Sequence, residues 1–153
     1  MADTTRYQKI GKTIKIFAVA QVALVLMLGY MAVQFQAKFQ AIGMPGRFMN
    51  GVVASFVIQM LLFYPIYRFA AKEAERDLTL STSNLSSEEL KAVTKKKRMG
   101  DIVKASVFFF FGMFILQAPN TPIVLCVLYF SFVLTVLSYL QCYNFAAKKL
   151  MRQ

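Results

Sequence analysis

The apolar residues of this chain fall in four long blocks divided by polar stretches, not at the amphipathic spacing of a soluble helix. The blocks are residues 16–35, 51–69, 102–117 and 123–145. A run of about 20 apolar residues is what an α-helix needs to cross a hydrocarbon core. The pattern therefore predicts an all-α membrane protein, four transmembrane helices in one integral domain over residues 1–153. Residues 70–101 interrupt it. They open as a mixed-charge helical extension, Lys72 to Asp77, pass through a polar linker, Thr79 to Asn84, and become a basic helix. Ser86 or Ser87 suits the N-cap of that helix, with Glu88 and Glu89 in the first turn, where the helix dipole favours anions. The helix then carries Lys95, Lys96, Lys97 and Arg98 at its foot and runs without proline into the third block. The Ala37–Asn50 connection turns at Gly43, Pro45 and Gly46. Its Phe39, Ile42, Met44, Phe48 and Met49 suggest a loop lying on the membrane surface. Pro65 is expected to bend the last part of the second helix, and Ala118–Pro122 to form a tight turn.

Composition agrees with this picture: 58% of residues are hydrophobic, too many for an ordinary soluble domain. The net charge of +11 raises the possibility of nucleic acid. The basic residues, however, sit at the ends of apolar runs with no aromatic platform between them, so a membrane-flanking rim is the better reading and nucleic acid is not an expected partner. Their distribution is one-sided. Four lie before the first span, nine between Arg68 and Lys104 and three after the last, against Lys38 and Arg47 in the other two connections. The positive-inside rule then places both termini and the 70–101 segment in the cytoplasm. The N-terminus does not read as a signal peptide, because the apolar stretch after the basic residues 1–15 is long and lacks a small-residue cleavage site. A bacterial inner membrane is the expected setting.

The chain also repeats itself. Tyr67-Arg-Phe-Ala-Ala-Lys72, with Arg76 beyond, matches Tyr143-Asn-Phe-Ala-Ala-Lys148, with Arg152 beyond. The same ungapped register pairs Ser55-Phe-Val57 with Ser131-Phe-Val133 and Leu61 with Leu137. Two similar hairpins that start and finish on one side are expected to run parallel, related by an axis along the membrane normal. In each copy the tyrosine and lysine, Tyr67 with Lys72 and Tyr143 with Lys148, are expected to anchor the helix where it leaves the bilayer.

Candidate chemistry is sparse. No catalytic, cofactor-binding or metal-binding set is expected. The chain has no histidine, and Cys126 and Cys142 lie about 24 Å apart along one helix, too far to pair within it. No block carries a charge near its middle, which weakens proton-coupled transport. Small multidrug transporters, also four-spanning, use a membrane-embedded glutamate that has no counterpart in these blocks. The Arg-x-x-Asn-x-x-Glu pattern of four-span eicosanoid and glutathione enzymes is absent from the second span. Gly100-Asp101-x-x-Lys104 resembles, over five residues, the start of the third span in a small ATP synthase assembly protein, protein I.

The remaining polar residues in the blocks are few. Ser131, Thr135 and Ser138 share one face of the fourth helix, and Ser55 and Gln59 share the matching face of the second. With Gln21 on the first they form an expected interhelical polar seam, or the lining of a path. Phe108 to Phe111 surround the third helix and suit lipid or a partner helix. Lys95, Lys96, Lys97 and Arg98 are expected to meet anionic lipid on the cytoplasmic face or an acidic partner. The reading is a non-catalytic accessory, scaffold or assembly subunit of a larger membrane complex, with other membrane subunits as partners. The alternatives are a small transporter or channel built by oligomerisation along the seam, and a lipid-binding or lipid-modifying protein.

Overall fold

The computed structural model describes residues 2–82, 85–118 and 121–152, of which residues 2–7 and Thr82 are described as backbone only. They form four helices: α1 (Ala2–Ala41), α2 (Pro45–Thr82), α3 (Ser87–Gln117) and α4 (Pro122–Leu150). All four are long and apolar enough to span a membrane.

The helices are longer than the apolar blocks that predict them. The surface loop expected at Ala37–Asn50 shrinks to Ile42, Gly43 and Met44, because α1 continues to Ala41 and α2 starts at Pro45. The reason is local. Met44 N–H donates to the Phe39 carbonyl at 2.9 Å and Gly43 N–H to that of Gln40 at 3.0 Å, closing α1 in a Schellman motif. Gly43 takes the left-handed φ of +71° that this motif requires. Pro45 then serves as the first residue of α2, where a missing N–H costs nothing. The polar linker expected after Asp77 is helical as far as Thr82. Thr79 and Ser81 donate to the carbonyls of Glu75 and Asp77, so their hydroxyls are satisfied inside the helix. Residues 83–84 of that linker, and 119–120 of the tight turn, lie outside the described residues. At the start of α3 the expected cap is present as a complete capping box: Glu89 N–H donates to Ser86 Oγ and Ser86 N–H to the Glu89 carboxylate. α2 continues through Pro65 as one helix.

The bundle is organised on α2 and α4, which lie side by side and run in the same direction. Ser55 reaches Val127, Gln59 reaches Thr135 and Ser138, and Asp77 reaches Tyr143, so both numberings rise together. Small residues allow the approach. A Cβ on Gly51 would come within 3.2 Å of Cys126 Sγ. At the other end, Ala70, Ala74, Ala146 and Ala147 are buried in one cluster with Ile10, Cys142 and Tyr143. The repeated Phe-Ala-Ala segments thus supply this close contact. α1 and α3 flank the pair; each packs on both α2 and α4, and among the described residues they do not pack on each other. α1 contributes Ile10, Phe17, Phe35 and Phe39 to the packing. α3 buries only Gly100 and Phe111.

Candidate functional site: a three-helix carboxylate–tyrosine–lysine ladder

The most concentrated polar chemistry lies at the basic end of the bundle, where α2, α3 and α4 meet. Glu73 and Asp77 stand one turn apart on α2 and point at α4 and α3. Each carboxylate is held by one tyrosine and one lysine. Glu73 Oε2 accepts from the Tyr139 hydroxyl at 2.5 Å, and its Oε1 from Lys104 Nζ at 2.6 Å. Asp77 Oδ2 accepts from the Tyr143 hydroxyl at 2.7 Å, and its Oδ1 from Lys97 Nζ at 3.0 Å. Helical spacing produces the two rungs: residues 73 and 77, and residues 139 and 143, are i,i+4 pairs, while 97 and 104 lie two turns apart on one face.

The rungs differ in burial. The Glu73 side chain is 4% exposed and its lysine 33%, whereas Asp77 and Lys97 are 22% and 43% exposed. Lys104 also meets Asp101 at 2.8 Å. The inner rung is therefore a nearly buried charge whose partners must stay in place, and the outer one is half-solvated. Gly100 lies where α3 crosses α2, with Glu73 and Arg76 about 3.5 Å from where a Cβ would be. Arg76 donates from Nε to the Lys72 carbonyl and from Nη1 to the Lys96 carbonyl. A cavity of about 250 Å³ beside the outer rung is lined by Lys9, Asp77, Lys97 and Tyr143 among others.

Of the ladder, Glu73, Asp77, Lys104 and Tyr139 were not among the expected site residues, and Lys97 and Tyr143 were expected in other roles. Lys97, expected to meet anionic lipid or a partner together with Lys95, Lys96 and Arg98, pairs with Asp77 while still 43% exposed; the other three are exposed. Tyr143, expected as an anchor at the bilayer surface, is 2% exposed and lies under Phe17 of α1, ring centroids 4.9 Å apart. Its repeat counterpart Tyr67 is 39% exposed and stacks on Phe63. The difference arises because α1 covers α4 there, while α3 leaves the matching part of α2 open. Lys72 and Lys148 are both exposed.

The polar seam residues are brought together only in part. Gln59, 8% exposed, donates to Ser138 Oγ at 2.7 Å and accepts from Thr135 at 3.3 Å. Ser55 donates to the Gly51 carbonyl of its own helix and lies 3.4 Å from that of Val127. Gln21 and Ser131 do not join: Gln21 Nε2 and Ser131 Oγ are buried without a hydrogen-bond partner among the described residues, as is Asn144 Oδ1. Both cysteines are buried and free. No protein family, curated protein or solved structure matches the chain.

Proposed function

We propose that the chain is a non-catalytic accessory or assembly subunit of a larger membrane complex. In this reading both termini lie in the cytoplasm and the fold is two parallel hairpins. The observation that carries it is the packing of α3. This helix is fastened by the lysines of the ladder at one end and by Phe108 and Phe111 on Phe132 further along. Phe108, Phe109, Phe110 and Phe114 are each at least half exposed, and Leu116 is 84% exposed. Helix association in lipid rests on packing and interhelical hydrogen bonds, because the bilayer supplies no hydrophobic drive. A helix so thinly packed on its own bundle is suited to complete its packing on another chain. The parallel course of α2 and α4, with α1 and α3 on their flanks, fits the duplicated-hairpin reading. A transporter path along the seam has less support, since Gln59, Thr135 and Ser138 bond one another.

Mild extraction of native membranes followed by sizing tests the role. Co-elution with unlike membrane subunits is expected, and a homo-oligomer free of other proteins overturns it. Sidedness is tested by single cysteines at Ile42 and Lys91 in a background lacking Cys126 and Cys142. They should label from opposite faces, Lys91→Cys from the cytoplasmic one.

A further inference from the structure

The gap that α3 leaves against α2 is a groove of about 860 Å³, within the roughly 300–1,000 Å³ of ligand-binding clefts. Its lining changes along the helices, from an apolar end through a basic middle to Thr79, Ala92 and Val93 at the far end. α2 and α3 are antiparallel here, and Phe69 and Val103 mark the end toward the apolar blocks, with Met99 one turn along α3. Lys72, Arg76, Lys95 and Lys96 follow toward the basic end, against Glu75 as the one acidic lining residue. The ladder's carboxylates serve other cations: Glu73 takes Lys104, and Asp77 takes Lys97. Arg76, half-buried, uses two of its nitrogens on backbone carbonyls and forms no ion pair with a carboxylate among the described residues. The groove therefore combines an apolar floor with a net-positive cluster of cations, one of them fixed in place by the α3 backbone.

We propose that this groove binds one anionic diacyl phospholipid. The phosphodiester lies among Lys72, Arg76, Lys95 and Lys96, and an acyl chain runs along Phe69, Met99 and Val103. Charge complementarity selects the headgroup, because a zwitterionic lipid brings a choline or ethanolamine cation into a site already positive. The order of the lining selects a lipid over a soluble anion, since only a lipid fills both the charged and the apolar ends. The site is separate from the apolar α3 surface assigned to partner subunits, so loss of one does not entail loss of the other.

Native mass spectrometry of the purified full chain, released from nanodiscs of phosphatidylglycerol, phosphatidylcholine or an equal mixture, tests this directly. One phosphatidylglycerol should be retained from the mixture, with at least about tenfold preference over phosphatidylcholine. Lys72→Gln/Lys95→Gln/Lys96→Gln removes three exposed cations and leaves the ladder intact. It should weaken retention about fivefold per charge. A control with the same net charge, Lys12→Gln/Lys149→Gln/Arg152→Gln, removes exposed cations outside the groove and should change retention less than twofold. Circular dichroism of both variants establishes that the helices are kept, and Lys95→Gln/Lys96→Gln serves if the triple variant misfolds. Equal retention of both lipids overturns the proposal, as does an equal loss in the control. Displacement of the lipid by millimolar inorganic phosphate would make the groove a phosphate site, and displacement by an acidic peptide alone a protein-docking site; either result overturns it.

Discussion

α1 and α3 flank the same central pair, yet they are held by different forces. α1 lies on α4 through rings and aliphatic side chains, with Phe17 on Tyr139 and Tyr143 and Phe35 on Tyr129 and Phe130. α3 is held at its basic end by two lysines that reach carboxylates of α2. Dispersion contacts are short-ranged and individually small, and they hold α1 over much of its length. An ion pair is concentrated at one point, and its strength depends on burial, salt and protonation. The fold therefore has one flank whose attachment is insensitive to conditions and one whose attachment is not.

The inner rung should give the largest effect. Lys104→Met leaves the 4%-exposed Glu73 without its cation, which should cost about 3 kcal/mol, the low end for a broken buried pair because Lys104 is one third exposed. Denaturant titration in detergent micelles reads the loss. Label distances between α2 and α3 should lengthen while those between α1 and α4 stay constant. Adding Glu73→Gln to Lys104→Met should recover much of the loss; equal costs for the single and double variants would mean that the pair does not hold α3.

Phe17→Ala tests the other flank. In a water-soluble core such a truncation costs about 3–5 kcal/mol. In lipid the transfer contribution falls away, and about 0.5–1.5 kcal/mol per ring pair remains. The same titration measures it, and the loss should be independent of salt. The outer rung should behave in the opposite way. Lys97→Gln should cost no more than about 1 kcal/mol, with the difference shrinking as salt rises. A salt-independent cost would show that Asp77 is more enclosed than its exposure implies.

The smallest effect concerns the start of α3. The Ser86 backbone N–H and hydroxyl hold the Glu89 carboxyl below the ordinary value of 4.5. Its contribution is therefore present in full above that value and is lost as pH falls through the lowered one. Protection factors of the amides in the first turn of α3, relative to intrinsic exchange at each pH, should fall on acidification, and Glu89→Gln, which removes the titrating group, should abolish that dependence.

Much of this fold was legible in the sequence, because apolar blocks of this length seldom occur outside membrane spans. The Ser86–Glu89 cap was legible too, since capping depends on neighbours in the chain. The ladder was not. Glu73 and Asp77 lie in a charge-rich segment that reads as a solvated helical face, and only packing against α4 separates the two cases. A signal was present in the spacing: a carboxylate pair and a tyrosine pair, each i,i+4, with two lysines two turns apart. The Ala37–Asn50 loop was misread for a local reason. Pro45 and Gly46 resemble turn residues, whereas Pro45 begins a helix and Gly43 alone makes the turn. The two tyrosines of the repeat, expected alike as anchors, differ because equal sequence does not give equal neighbours: α1 covers Tyr143, whereas Tyr67 stays exposed.

The central position of α4 has a consequence for biogenesis. α2 leaves the ribosome well before α4, yet Gln59, Glu73 and Asp77 find their hydroxyl partners only on that later helix. During the interval α2 carries an amide that lipid cannot solvate, and two carboxylates whose tyrosine partners are not yet made. The nascent first hairpin should therefore linger beside the insertion machinery, and a ribosome stalled before Pro122 should leave a product that quality-control proteases recognise.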